Sequence, residues 1–474
     1  MKRLTSVLAA TLVLPLALTA CGSSSDNEDT GNDDAADGSG DGGDGGTSAG
    51  TDPTGSTDPT TDPDDSGSDD GVPAGCADPN DPAAPRESVS ADLDGGGSWT
   101  CDTIYVLEAP VFVRNGTLDI EAGTTIQGAA GSALVIDTTA TINAVGAADA
   151  PIVFTSILPE GSRNRGDWGG LVMLGNASVN LDGGVGAAEG FANPPAYGGT
   201  DDAHDCGTLS YVRVEWAGFE LSAGNELNGI TFYACGSGTS VDHVQVHMGS
   251  DDGIEMFGGA FNADHLIVTG AADDSIDCDE GFAGQLQYVF IQQDPAIGDN
   301  CFEWSNQGTD FTATPHTAVH AANVTCIGSG ANGDKSKGMT LKEGTEAYVY
   351  SSIFTNITNE TILLTHPETQ ANAEGGLIEL AGLVFNSPTF GVDDGTMWDA
   401  AALEAWVNMQ NGIMNADPGL PSIDWGSVNG APGGDSPAAA AGMTPGGFEA
   451  TSYAGAIEPG GEDWTKASWT NYSL

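Results

Sequence analysis

Between Val212 and Val349 the chain repeats a short motif, and that repeat limits its fold more than any other feature. Six segments share one pattern: Tyr211–Val214, His243–Val246, His265–Val268, Tyr288–Ile291, Asn323–Cys326 and Tyr348–Ser351. The first five are each followed by a spaced apolar pair, Ile230/Phe232, Ile254/Met256, Ile276/Cys278, Phe302/Trp304 and Met339/Leu341. Uninterrupted steps measure 22 to 26 residues. A period of that length, built from short alternating segments, is one turn of a β-solenoid. Helical periodicity is missing for nearly three hundred residues, which argues against an α/β sandwich. The prediction from the period is an all-β parallel β-solenoid.

The chain opens on Lys2 and Arg3, followed by an apolar run from Val7 to Leu18 that is too short to span a bilayer. Leu18-Thr19-Ala20-Cys21 resembles the lipobox of bacterial lipoproteins, which implies a signal peptide over 1–20 and lipidation of Cys21. Gly22 follows rather than Asp, so no inner-membrane retention signal is evident, and the expected location is the outer membrane or cell surface. Residues 21–75 hold fifteen acids, no Lys or Arg, and no aromatic ring. Such a segment buries too little apolar area to offset chain entropy and is expected to be a disordered tether spanning roughly 40 Å. The lipid would then be the chain's only contact with the membrane.

Beyond the tether the expected plan is an N-terminal cap over 76–104 and the β-helix over 105–385. An extension over 386–474 follows, with one helix at about 396–410 capping the open β edge. Three excursions, Gly183–Cys206, Glu215–Asn228 and Asn306–Ala322, are expected as flanking loops. Most of the formal charge of −57 lies outside the tether, so nucleic acid is a disfavoured partner. Among the cysteines, spacing suggests bridges Cys76–Cys101 and Cys206–Cys235. Cys301–Cys326 requires a tight corner, with Cys301 facing outward, and leaves Cys278 as a core thiol. No Cys lies in a catalytic motif.

Ile142–Ser156, Arg165–Leu171, Val241–His247, Gly249–Gly253 and the tail around Gly455–Ile457, Trp464 and Trp469 resemble a family of bacterial surface and secreted lipoproteins. Its members are right-handed parallel β-helices of the pectate-lyase type. The resemblance covers almost all of the chain after Cys101 and implies a fold rather than an activity. A looser resemblance is to polygalacturonase-type glycosidases, whose catalytic acids sit on successive coils, as Asp251-Asp252-Gly253 and Asp273-Asp274-Ser275 would here. The glycosidase Gly-His-Gly is missing, and its basic segment has no counterpart beyond Lys342.

Stacking coils at about 4.8 Å should align Glu255, Asp277 and Glu303 in one row, with Asp252, Asp274 and Asn300 in a second. Carboxylates at that spacing repel by about 0.9 kcal/mol in water and about 3.5 kcal/mol at an effective dielectric of 20. A bound cation, shared protons or good solvation would relieve them. Calcium suits an oxygen set drawn from Asp251, Asp252, Glu255, Asp273, Asp274, Asp277, Asp279, Asp299 and Glu303. The plainer alternative is that Asp before Gly or Ser closes a turn. In the catalytic version Asp252 or Asp274 is the acid and Glu255 or Asp277 its partner. A calcium-dependent lyase would need a base from Lys335, Lys337 or Lys342.

A second row, Tyr211, His243, His265, Tyr288, Asn323 and Tyr348, is expected to stack across coils. Its imidazoles, with Asp242, Asp264 and His247, match no zinc or copper spacing, and its rings could stack on sugars. The leading expectation is a monomeric surface binding, scaffold or adhesion module for glycan or protein. It would carry calcium at the ladder and no organic cofactor. The alternative is a polysaccharide-cleaving enzyme, either a glycoside hydrolase or a calcium-dependent lyase.

Overall fold

A computed structural model describes residues 72–474 apart from 223–224, 331–334 and 394. The expected signal peptide, Cys21 and the tether up to residue 71 lie outside the described residues. The main sheet joins 26 strands, and every pairing in it is parallel. Parallel crossovers between L-residue strands are right-handed, and the chain coils as a right-handed parallel β-helix.

Each coil visits three sheets. The central coils are built from Ser240–His247, Asn262–Thr269 and Gln285–Gln292, alternating with Ile254–Phe257, Ile276–Asp279 and Asn300–Ser305. The longer strands are bent in the middle. His243, His265, Tyr288 and Asn323 sit at the bend with φ of 54°, 54°, 58° and 55°. One left-handed residue turns the strand from the first sheet into the second without breaking the ladder on either side. The third sheet follows after a tight turn. Alternate side chains point inward on each sheet, so Ile254, Met256, Ile276, Cys278, Phe302 and Trp304 form a continuous apolar column.

The bend corrects one expected row. Tyr348 pairs with His320 in register and stacks on it at 4.2 Å. The position one coil beyond Asn323 is Ser351, itself at φ 49°. Ala347 and Val349 alternate inward before the bend as readily as after it, so a period of two could not tell the two sides apart.

The coils also extend further than expected at both ends. Arg86–Val89 and Leu93–Trp99 already pair with Ile104–Leu107 and Pro110–Ile120, inside the segment read as a cap. Phe390–Asp393 and Met414–Asn415 still continue the stack beyond 385. Glycines in the first of these strands and turn residues around the last dilute the apolar alternation.

Two helices interrupt the coils. α1 (Pro367–Gly375) was not expected, because its apolar residues follow no helical period. It is tied down by polar contacts, with Thr369 Oγ1 accepting from Gly344 N at 2.8 Å and Asn372 Nδ2 donating to Gly344 O at 2.8 Å. α2 (Ala400–Val407) is shorter than the expected 396–410. Asp399 caps it by accepting from Ala402 N at 2.9 Å. Leu403 and Val407 close the end of the core, while Met397 and Met409 stay exposed.

The rest of the tail does not cap an edge. It runs along the outer face of the second sheet, where Ile267 and Phe290 pack on Ile457 and Trp469, and also reaches the first, where Phe448 packs beside Tyr348 and Tyr350. Side-chain amides on the coils pair with its backbone as a strand would. Gln245 bonds both ways to Asn471 at 2.6 and 2.9 Å, and Gln287 both ways to Glu449 at 2.8 and 2.9 Å.

Cys76–Cys101, Cys206–Cys235 and Cys301–Cys326 are bridged, and Cys278 is a buried free thiol. Cys301 is fully buried rather than outward-facing, which lets it reach Cys326 across the corner. Trp304 fills the core beside Phe302 with its rings stacked at 4.8 Å. Trp304→Ala is expected to cost about 3–5 kcal/mol, read as a lowered denaturation midpoint with an unchanged slope.

Candidate functional site

The outer face of the third sheet gathers the acids. Register aligns Thr231, Glu255, Asp277, Glu303 and Thr340 in one row. The turn entering each of these strands supplies a second row of Asn228, Asp252, Asp274 and Asn300. In that row each carboxyl or amide oxygen accepts from the next coil. Asn228 Oδ1 accepts from Asp252 N at 3.2 Å, and Asp252 Oδ1 from Asp274 N at 2.9 Å. Asp274 Oδ1 accepts from Asn300 N at 2.7 Å and from Asn300 Nδ2 at 2.8 Å. Asp252 and Asp274 therefore close turns and also face the acids of the strand row.

Glycine is needed after Asp252 for space rather than for its backbone angles. A Cβ on Gly253 would lie 2.3 Å from Val268 Cγ1 and 2.6 Å from Ser275 O. Gly229, after Asn228, is crowded in the same way by Val246 and Gly253. The shared Asx-Gly-Ile pattern at 228–230 and 252–254 was a readable sign that Asn228 belongs to the row.

The excursions roof this face. Gly186–Ala187 and Ala196–Tyr197 form a hairpin, and Ala188, Phe191 and Tyr197 pack on Val135, Val172, Leu174 and Tyr233. Asn228 Nδ2 donates to Glu255 Oε2 at 2.5 Å. Asp252, Glu255 and Asp274 are left only 7%, 8% and 4% exposed. Glu189, in the hairpin loop, and Glu280, just after Ile276–Asp279 on the coil, are each pushed up to about 7 chiefly by burial. Tyr197 spans them by donating to Glu280 Oε2 at 2.6 Å. Nothing in the repeat announced Glu189 or Tyr197, because the roof comes from outside it, and Glu280, although it follows Ile276–Asp279 on the coil, was marked only by its pairing with Tyr197.

Two triads bring ligand oxygens within 4.8 Å of one another: Asp252/Glu255/Asp277 and Asp274/Asp277/Glu303. Asp277 belongs to both, and its Oδ1 is shielded from solvent without a hydrogen-bond partner. A third group, Asp251/Asp252/Asp273, lies toward the rim. Asp279 and Asp299 join none of these groups. Asp279 accepts from Glu280 N at 2.6 Å, and Asp299 pairs with Lys337 at 2.7 Å and Lys335 at 3.7 Å. Lys342 sits at the end of the row on Glu303.

Burial and neighbouring acids act together here. Asp252, Glu255, Asp274 and Asp277 are all held well above the usual carboxylate range, first by burial and then by one another and Glu303. Burial opposes the charge of Lys342, but Glu303 and Asp277 outweigh it and hold the ammonium above its ordinary value. The cluster thus carries more potential negative charge than its one lysine balances. Hard oxygen donors from successive coils suit a divalent cation of loose geometry.

The second row behaves differently. Tyr211, His243, His265 and Tyr288 stack face to face at 4.4, 4.2 and 4.8 Å. Asp242 lies 2.9 Å from Nδ1 of both His243 and His265. Asp242, His243 and His265 bring three ligand atoms within 4.8 Å of one another, but the two imidazole planes differ by only 19° and stack at 4.2 Å, a poor approach for two ligands of one tetrahedral ion. His247 is turned away, with Nδ1 at 2.7 Å from Thr269 Oγ1 and Nε2 at 2.9 Å from Ser473 O. With their faces already stacked, the rings offer sugars only their edges.

No helix among the described residues is long and apolar enough to cross a membrane. A family model for a pectate-lyase like beta helix domain matches residues 97–427. No curated protein and no solved structure matches the chain.

The raised carboxyls make stability depend on pH with a definite sign. Their contribution is complete below the ordinary carboxylate range, about pH 4, and is lost as pH rises through the folded-state values. With a chelator present, the urea midpoint of the wild type should fall relative to that of Asp277→Asn between about pH 5 and about pH 8. Parallel profiles for the two proteins would show that Asp277 is not part of a repulsive cluster.

Proposed function

The chain belongs to the pectate-lyase-like β-helix family, and from that premise we propose that it is a cell-envelope binding module with a divalent cation in its acidic ladder. In this reading Cys21 carries the lipid, the acidic segment is the stalk, and the β-helix presents a surface to glycan or protein. Calcium is the cation that the donor set favours: all-oxygen ligands from two or three coils, with no thiol and no converging imidazole. The observation that carries the proposal is Asp277, shared by both triads, with a buried oxygen that no protein donor satisfies. A cation between the rows would take that oxygen as a ligand and replace like-charge repulsion with attraction.

The burial of Asp252, Glu255 and Asp274 favours cation binding over polysaccharide cleavage. A general acid has to reach the glycosidic oxygen, and these three are less than a tenth exposed. The second reading, cleavage by Asp277 and Glu303, draws on their closeness, which fits the short separation of a retaining pair. It requires Glu303 to act while paired to Lys342.

Thermal unfolding of the full chain tests the cation. Calcium at a hundredfold excess over its Kd should stabilise the wild type by about 2.7 kcal/mol. Asp274→Asn with Glu303→Gln should remove that gain while keeping acceptor oxygens at both positions. An unchanged melting temperature at millimolar calcium would refute the site. A glycan panel scored for binding and for new chain ends separates the two readings: binding without cleavage supports the module, and chain ends lost in Asp277→Asn support the enzyme.

A further inference from the structure

We propose that the outer face of the first sheet carries a separate binding groove for a glycan bearing free amines. This names a site and a ligand class for the glycan reading above and rests on that reading.

Two hollows adjoin on this face, of about 310 and about 520 Å³. They share Asp242, Asn262 and Asp264. The smaller continues past Gln285 and Tyr288 to Glu449, and the larger past Phe261 to Ser237. A chain-like ligand lying across both would pass over the three shared side chains. The far wall of the smaller hollow is held in place, because Gln287 clamps the backbone of Glu449 with two hydrogen bonds.

The lining sets the ligand's chemistry. Asp242, Asp264 and Glu449 face the hollows, and no Lys or Arg lines either one. Uronate, sulfated or phosphorylated glycans would therefore meet like charge without compensation. Asp242 is already engaged by His243 and His265. Asp264 is exposed, accepts no hydrogen bond and forms no ion pair among the described residues, so its carboxylate is available to a ligand.

Asp264, unlike its neighbour Asp242, belongs to none of the groups that bring three ligand atoms within 4.8 Å, so the cation it suits is an organic ammonium rather than a bare metal ion. The amide of Gln285 and the exposed hydroxyl of Ser240 line the same path and suit sugar hydroxyls. The stacked rings present edges, so recognition would come from these polar groups rather than from ring stacking.

Isothermal titration of the full chain tests the groove with four probes. They are a glucosamine hexamer, its N-acetylated counterpart, a galacturonate oligomer and a lysine-rich peptide. The expected result is binding of the glucosamine hexamer alone, weakened about tenfold or more by Asp264→Asn and by high salt. Asp277→Asn should leave that binding unchanged, and Asp264→Asn should leave the melting temperature unchanged. Equal binding of the acetylated oligomer, or tighter binding of the peptide, overturns the ligand class.

Glycan binding lost in Asp277→Asn but kept in Asp264→Asn overturns this groove while leaving the glycan reading intact. No binding of any glycan overturns both.

Discussion

Everything in this protein depends on parallel coils stacked in register. Each strand lies about 4.8 Å from its equivalents, so a residue's nearest neighbours are its counterparts one coil above and below. Inside, this places Ile on Ile and Phe on Met, and the core grows along one axis without needing a larger globule. Outside, the same rule brings like charges together. An acid at one position of the repeat becomes a column of acids, whatever that costs electrostatically.

The two columns on the third sheet relieve that cost in different ways. The turn column flanks its two Asp with Asn at either end and directs backbone N–H groups at the carboxyl oxygens, so much of its charge is met by fixed donors. The strand column has Thr at both ends, Lys342 close to Glu303, and Asp277 in the middle with an unsatisfied oxygen. The roof raises the stakes by excluding water, since repulsion grows as the local dielectric falls. Without the insertions the column would be an ordinary solvated ladder. Beneath them it has to hold protons or a cation.

The architecture was legible because it repeats. Apolar dyads at a constant step identified the coils, and putting the dyads in register paired Glu255 with Asp277 and Glu303. What escaped was whatever does not repeat. Glu189 and Tyr197 reach the ladder through a hairpin whose placement follows from tertiary packing, and Glu280 joins them from the coil by accepting from Tyr197. α1 has no helical period and is held by Thr369 and Asn372. Tyr348 was assigned to the wrong row because alternation of period two continues across the bend, and only the left-handed residue marks where one sheet becomes the next. The histidines matched no metal spacing, and the structure adds what spacing does not contain: their ligand atoms gather with Asp242 while the ring planes stay nearly parallel.

The tail sharpens the division of labour among the three faces. The second sheet carries Ile267 and Phe290 outward, an apolar stripe that water would penalise, and the tail covers it with Ile457 and Trp469. Gln245 meets the tail's backbone at Asn471 in paired hydrogen bonds, so the polar groups of an irregular segment are satisfied there without a further strand. That face is therefore closed by the chain itself, and the third is roofed by the insertions. The first sheet keeps Asn262 and Asp264 exposed between two hollows. The tail reaches this sheet too, where Phe448 packs beside Tyr350 and Gln287 clamps Glu449, so its hollows are walled by the coils on one side and by the tail on the other.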